Sequence, residues 1–300
     1  MSFRTGTLVV VGVGLIGGSV ALALKARGAV ARVVGVGRSR ANLDDALAAG
    51  IVDGACTLAD RWTDEVARAD AVLLAAPVAQ FGALFAAMAP RLPVHALLTD
   101  AGSTKADVVA AAREHLGAAF ARFVPAHPIA GTERSGAKAA SPTLYEGRQV
   151  ILTPDAGTSA TAVDAVAALW EACGARVSRL DAARHDRIYA AVSHFPHMLS
   201  ATYMASIAAR PDAGDLTSFA GTGFRDMTRI SASSPEMWRD IGMANRAALL
   251  EELRAFRGPL DALERALRDG DAQSLEALLA VAAWARRSWA AQRTDPGAVE

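Results

Sequence analysis

"TLVVVGVGLIGGSVALAL", Thr7 to Leu24, decides the fold. Thr7–Gly12 is an apolar, β-branched run that reads as a strand. After a glycine turn the spacing becomes helical and stays so through Ala26. Gly12, Gly14 and Gly17 stand in G-x-G-x-x-G spacing, with Leu15 and Ile16 between the last two. A strand before and a helix after is the context this motif requires. Gly12 permits the tight turn, Gly14 lets backbone approach a pyrophosphate, and Gly17 lets helix and strand pack closely. The helix then offers free N–H groups to the anion. The stretch predicts a dinucleotide-binding turn.

Outward from it, strands and helices alternate. Arg32–Val36, Ala71–Ala75, Ala96–Thr99, Phe123–Val124, Gln149–Leu152 and Arg176–Leu180 read as strands. Arg40–Ala49, Gln80–Met88, Thr104–His115 and Val163–Ala172 read as helices. Such alternation implies a mainly parallel sheet covered on both faces. After about Asp181 the pattern is nearly all helical, over Ile188–Ala208, Ala247–Leu267 and Ser274–Trp289. The expected fold class is therefore α/β, a Rossmann-like doubly wound domain over residues 1–182, followed by an all-α substrate and dimerisation domain over 183–300. A helical half this apolar calls for a partner, and a homodimer is the commonest oligomer. The tail "RTDPGAVE" reads as loose.

Composition narrows the function classes. The 300 residues carry 31 basic and 31 acidic side chains and are 52% hydrophobic. No basic excess favours nucleic acid or anionic lipid. No signal peptide is read in the glycine-interrupted N-terminus, and no apolar run is long enough to span a membrane. Cys56 and Cys173 form no metal or redox motif and suit reduced thiols of a cytoplasmic protein. No metal site is expected.

The end of the second strand bears on the cofactor. An NAD site usually offers a carboxylate there to the ribose 2′-OH. Here Gly37 holds that place, and Arg38, Ser39 and Arg40 follow. An arginine pairs with a 2′-phosphate and a hydroxyl can donate to it. This predicts NADP in preference to NAD, with NAD the alternative; Arg38 could instead stack on adenine.

A second polar cluster gathers where open α/β sheets place ligands. "HPIAGTERSG" follows the strand "RFVPA", "TDAGSTK" sets Ser103 and Lys105 after another strand, and "AAPV" sets Ala76 and Pro77 after a third. Four segments together, "GVGLIGGSVALALK", "DAGSTK", "HPIAGTERSGAKAA", and the pair "SHFPHMLS" with "GTGFRDMTRI", resemble the prephenate/arogenate dehydrogenase family of tyrosine biosynthesis. The resemblance runs in order over about residues 7 to 245.

That resemblance implies the chemistry. The family oxidises a cyclohexadienol, prephenate or arogenate, to a phenol with loss of CO2, passing hydride to a nicotinamide. His127 matches its catalytic histidine. Ser103 matches a serine that hydrogen-bonds both that histidine and the substrate hydroxyl. Arg229 matches the arginine that grips a substrate carboxylate. Ser193, His197, Thr132 and Glu133 match pocket residues, and Arg225 and Asp226 a basic–acidic pair that helps close the site across two subunits. His127 is expected to lose activity by protonation near the ordinary histidine pKa of ~6.5. His194 is expected to be structural, and His95, His115 and His185 are assigned nothing. Feedback by tyrosine would act at the active site itself, because the helical half leaves little room for a regulatory domain.

Two other readings compete. A two-domain β-hydroxyacid-type dehydrogenase would rely on a lysine in the helical half, and no lysine follows Lys138. A non-catalytic NADP(H)-sensing protein would not need His127, Ser103 and Arg229 together.

Overall fold

The computed structural model describes residues 3–132 and 134–294. The opening stretch forms β1 (Thr5–Val11) and α1 (Leu15–Ala26), followed by β2 (Val30–Gly37) and α2 (Arg40–Ala48). Then come β3 (Gly54–Thr57), α3 (Trp62–Val66), β4 (Ala71–Leu74), α4 (Phe81–Met88), β5 (Leu97–Asp100), α5 (Ala106–His115) and β6 (Phe123–Val124). These six strands form one parallel sheet in the order β3-β2-β1-β4-β5-β6. The order reverses beside β1, which is where a doubly wound sheet opens a crevice at its carboxyl edge.

β1 shows why the sheet is covered twice. Leu8 and Val10 point into one apolar layer with Val20, Leu24 and Trp170. Val9 and Val11 point into the other with Val34, Phe81 and Phe85. All four β1 residues are buried. Each such side chain contributes about 1.5–3 kcal/mol relative to exposure, so a polar residue at any of them would break the strand's packing.

The chain then departs from a single sheet. β7 (Ala126–Pro128), β8 (Gln149–Leu152) and β9 (Arg176–Arg179) form a separate three-stranded sheet, with β7 antiparallel to β8 and α6 (Ala160–Ala172) between β8 and β9. The sequence pattern places β8 and β9 with the parallel sheet and reads no strand at β7. Pro125 lacks an N–H and cannot continue the ladder, so the chain leaves β6 and pairs elsewhere. His127 therefore lies inside β7, opposite Ile151, and not in a loop past a strand end.

The helical part begins at α7 (Ala182–Tyr189), where Asp181 caps the helix by accepting from the Arg184 N–H. A π-helical turn, Ala190–His194, joins it to α8 (Phe195–Ala208). Pro196 supplies the physical reason, since it cannot donate to the preceding turn and displaces the carbonyl there. α9 (Ala213–Ser218), α10 (Thr222–Thr228) and α11 (Pro235–Ala244) follow. The long α12 (Arg246–Asp269) and α13 (Ala272–Thr294) complete the described chain.

By internal contacts there are two compact units, Met1–Ala248 and Leu249–Glu300. Leu250, Leu253, Leu260, Leu267, Leu279, Val281 and Trp284 of the second unit are exposed apolar side chains. Cys56 and Cys173 are both free. Among the described residues no helix is long and apolar enough to cross a membrane.

Candidate active site

The glycine turn is built as its spacing predicts. Gly12 has φ +101°, and a Cβ there would lie 2.4 Å from the Ala75 carbonyl oxygen, so the turn sits directly on the end of β4. A Cβ on Gly17 would meet the Gly12 carbonyl oxygen at 2.3 Å, which fixes how closely α1 approaches β1. Gly14 differs from both: nothing lies within 4 Å of its Cβ position. It is the N-cap of α1 and no side chain caps the helix. The N–H groups of the first turn, from Leu15, Ile16 and Gly17, have no intrahelical acceptor. Open space at Gly14 before uncapped donors fits a pyrophosphate. Ala76 and Pro77 lie just past β4, beside Ala75, whose N–H donates to the Val11 carbonyl.

The corner expected to meet the 2′-ribose carries charge already in use. Ser39 caps α2, accepting from the Asn42 N–H at 3.3 Å. Arg40 pairs with Asp44 at 3.0 Å, and Arg38 Nη1 with Glu236 of α11 at 3.1 Å. Asn42 ties this corner to the rest. Its amide donates to the Val13 carbonyl at 2.6 Å, and its carbonyl oxygen accepts from the Ala137 N–H at 2.8 Å. The residue just past "HPIAGTERSG" is thus fastened to the glycine turn.

His127 sits where a buried ion pair can hold it. Lys105 and Asp100 are both fully buried and paired. Asp100 accepts from the Ala126 N–H at 2.9 Å, and Lys105 donates to the Ala126 carbonyl at 2.8 Å. Both peptide groups of the residue before His127 are therefore clamped. Lys105, expected as a polar edge group, is structural. Burial pushes the Asp100 carboxyl up, against the opposing pull of Lys105 and two backbone donors.

His127 itself is buried, and its Nδ1 lies 2.8 Å from His185 Nε2. His185 Nδ1 lies 2.8 Å from Asp186 Oδ1. Asp186 also accepts from the Lys105 N–H at 2.9 Å and the Ala106 N–H at 2.8 Å, at the start of α5. Tyr189 walls the pair, its ring centre 4.8 Å from His127 and 4.5 Å from His185. Burial, then the neighbouring His185, Lys105 and His194, hold His127 well below the ordinary histidine pKa. His185 is lowered too, mainly by burial. Burial works to raise the Asp186 carboxyl, but the His185 bond and the two backbone donors outweigh it and keep it below its usual range.

These contacts correct two expectations. No hydrogen bond joins Ser103 to His127 among the described residues; the ring nitrogen that has a partner turns to His185. The histidine is also held below the ordinary pKa of ~6.5 expected for it, because burial disfavours its cation. His185 and Asp186 carried no sequence signal beyond an adjacent His–Asp pair in the first turns of a helix capped by Asp181. That pair lies 58 residues from His127 in the chain.

A second group forms next to the first. His194 Nδ1 accepts from Asn245 at 3.1 Å, and Asn245 also donates to the Asp186 carbonyl at 2.7 Å. Burial pushes His194 down to about 4. The Ser103 backbone opposes that shift, yet among the described residues no well-aligned bond reaches Nε2. His197 stacks on Trp238, ring centres 3.7 Å apart, at the wall of a cavity of about 130 Å³ that Ile230 and Ser231 also line. His197 Nδ1 and Trp238 Nε1 are buried without hydrogen-bond partners among the described residues. Burial lowers the His197 pKa, the Ile230 backbone opposes that, and the Arg229 charge lowers it further.

Arg229 follows α10, is exposed, and has no ion-pair partner among the described residues. Ser193 is half-buried in the π-helical turn. Arg225 and Asp226 pair with each other at 3.6 Å on the surface. Thr132 is exposed, with its hydroxyl accepting from the Arg134 N–H at 3.2 Å. Glu133 lies outside the described residues.

Comparisons with known proteins bear on the family. Residues 20–179 match the family described as prephenate dehydrogenase, nucleotide-binding domain, and residues 181–281 match prephenate dehydrogenase, dimerization domain. The cyclohexadienyl dehydrogenase of Zymomonas mobilis subsp. mobilis is 36% identical over 268 residues, covering 88% of this chain and 90% of that one. The structure of prephenate dehydrogenase from A. aeolicus in complex with hydroxyphenyl propionate and NAD+ is 32% identical, with a TM-score of 0.88 over 96% of this chain and 99% of that one. That of Synechocystis arogenate dehydrogenase is 27% identical, with a TM-score of 0.76 over 94% of this chain and 99% of that one. With two family matches that follow one another along the chain and a glycine turn open for a dinucleotide, this chain belongs to the prephenate dehydrogenase family.

Proposed function

We propose that this protein oxidatively decarboxylates prephenate to 4-hydroxyphenylpyruvate, with arogenate, giving tyrosine, as the second candidate substrate. The observation that carries the reading is His127, buried and bonded to His185 at 2.8 Å with its cation disfavoured, in the same compact unit as a glycine turn open for a dinucleotide. The bound nicotinamide supplies a hydride acceptor. His127 takes the proton of the ring hydroxyl as the carbon bearing it loses hydride. A neutral imidazole suits this step near neutral pH. When CO2 leaves, its bonding electrons aromatise the ring and the oxygen becomes a phenolate, which takes the proton back. His127 therefore shuttles one proton and ends each turnover neutral. Its low pKa suits that return, since a weakly basic site releases the proton readily.

Ser103 orients the hydroxyl. Arg229 grips a carboxylate with a fork of donors suited to bidentate pairing. Ser193, His197, Thr132 and Glu133 line the pocket, and Arg225 and Asp226 close it. Gly12, Gly14, Leu15, Ile16, Gly17, Ala76 and Pro77 hold the cofactor. Arg38, Ser39 and Arg40, with Gly37 in place of an acid, favour NADP over NAD. The functional division is into a cofactor domain, 1–182, and a helical substrate and dimerisation domain, 183–300. The exposed apolar side chains of α12 and α13 support a homodimer.

One assay tests the reading: appearance of reduced nicotinamide on adding prephenate, then arogenate, with NAD+ and NADP+ in separate runs. Turnover with at least one pair is expected, with the larger kcat/KM on NADP+. A strong NAD+ preference sinks the cofactor assignment, and silence in all four runs sinks the activity.

A further inference from the structure

We propose that His185 and Asp186 are positioning residues that fix the proton of His127 on Nδ1, leaving Nε2 as the basic nitrogen. The inference rests on the reading of His127 as proton acceptor, but it concerns two residues for which that reading has no use.

The protons follow from the partners one at a time. Asp186 accepts three hydrogen bonds, from His185 Nδ1, the Lys105 N–H and the Ala106 N–H. A carboxylate facing only donors is ionised and accepts from all of them. His185 Nδ1 must then carry its hydrogen. In a neutral imidazole the other nitrogen is an acceptor, so His185 Nε2 presents a lone pair. His127 Nδ1, 2.8 Å away, can only donate to it. His127 is neutral as well, so its Nε2 holds the lone pair. Among the described residues that nitrogen has no hydrogen-bond partner.

The alternative tautomer is costly. With the proton on His127 Nε2, two lone pairs would face each other at 2.8 Å inside the protein, unless His185 also turned its proton away from Asp186. That second change would leave a buried carboxylate without its strongest side-chain donor. The chain therefore transmits the charge of Asp186 through His185 to a choice of tautomer at His127, as a carboxylate does for a catalytic histidine in a serine protease triad. When His127 accepts the substrate proton, its Nδ1–H keeps donating to His185 Nε2, and His185 Nδ1–H to Asp186. No atom need move for the cation to form.

The first test needs no variant. In protein labelled with 15N-histidine, the ring-nitrogen shifts of His127 should show Nδ1 protonated and Nε2 unprotonated above pH 7. A proton on Nε2 would overturn the proposal, whatever the activity of the enzyme. The second test is Asp186→Asn, which replaces the acceptor that fixes the chain. It should lower kcat by about 100-fold, the lower end of what general-base help supplies, with KM for the nicotinamide cofactor little changed. In a His127→Asn background the same substitution should cost kcat less than threefold, because residues that act through one group are not additive. An equal loss in both backgrounds would assign Asp186 a purely structural role and overturn the proposal. His185→Phe, which also removes the acceptor for His127 Nδ1, should reproduce the loss where Asp186→Asn does not fold.

Discussion

Replacing His127 by Asn isolates the proton step. The asparagine amide can donate towards His185 Nε2, which now receives the Nδ1–H bond at 2.8 Å. It has no basic nitrogen, so it cannot accept the hydroxyl proton. General-base help is worth about 10²–10⁴-fold, or roughly 3–5 kcal/mol of barrier. Folding should suffer less. At worst one buried acceptor, His185 Nε2, loses its partner at about 1–3 kcal/mol, within reach of a urea titration. Because the proton moves in the transition state, KM for both substrates should stay within about threefold. Initial rates of nicotinamide reduction at saturating substrate give the answer directly. The pH profile adds a second reading. Wild-type kcat/KM should hold its plateau to below pH ~6.5, since burial and neighbouring charges keep His127 neutral there, and the variant should lose that limb. A variant retaining more than a third of wild-type kcat would refute the assignment of His127.

Three further outcomes follow from the geometry. Gly14→Ala should leave thermal stability unchanged within a degree or two, since its φ is −113° and nothing lies near its Cβ position, while raising KM for the cofactor about tenfold or more by filling the approach to α1, a loss of ~1.4 kcal/mol. Arg229→Ala should raise substrate KM by about 10- to 100-fold with a smaller change in kcat, because a charge-assisted hydrogen bond is worth ~1.5–3 kcal/mol; an unchanged KM would remove it from the pocket. Acid should destabilise the fold before the carboxylates titrate. A histidine whose folded pKa lies below its unfolded ~6.5 favours the unfolded state once protonated, so its stabilising contribution is complete above ~6.5 and is lost as pH falls. His194, pushed down to about 4, alone accounts for about 3 kcal/mol between pH 6.5 and 4. Urea midpoints that stay level over that window would contradict its burial as a neutral ring.

The glycine turn was legible because its physics is local. Three glycines at fixed spacing do three jobs within one strand–turn–helix, and each shows in the Cβ distances at Gly12, Gly14 and Gly17. The two short strands β3 and β7 were harder. β7 has three residues, too few for a period, and its pairing with β8 depends on Pro125 ending the parallel ladder. α3, α9 and α10, of five to seven residues, fell below the length at which helical spacing shows. In the site, His127 stood out through its neighbours in sequence. His185 could not, since its meaning lies in a contact made across the fold. Lys105 misled in the opposite sense: a lysine after a strand reads as an edge group, yet its charge is spent on Asp100 and the Ala126 carbonyl.

In the proposed reaction, hydride transfer and loss of the ring carboxylate belong to one turnover. Prephenate labelled with 14C in the ring carboxyl group, given to the wild-type protein with NADP+ and separately with NAD+, reads both together. Labelled CO2 and reduced nicotinamide should appear in a 1:1 ratio, with unlabelled 4-hydroxyphenylpyruvate left in solution. Reduced nicotinamide without labelled CO2, or neither product with either cofactor, would contradict the account.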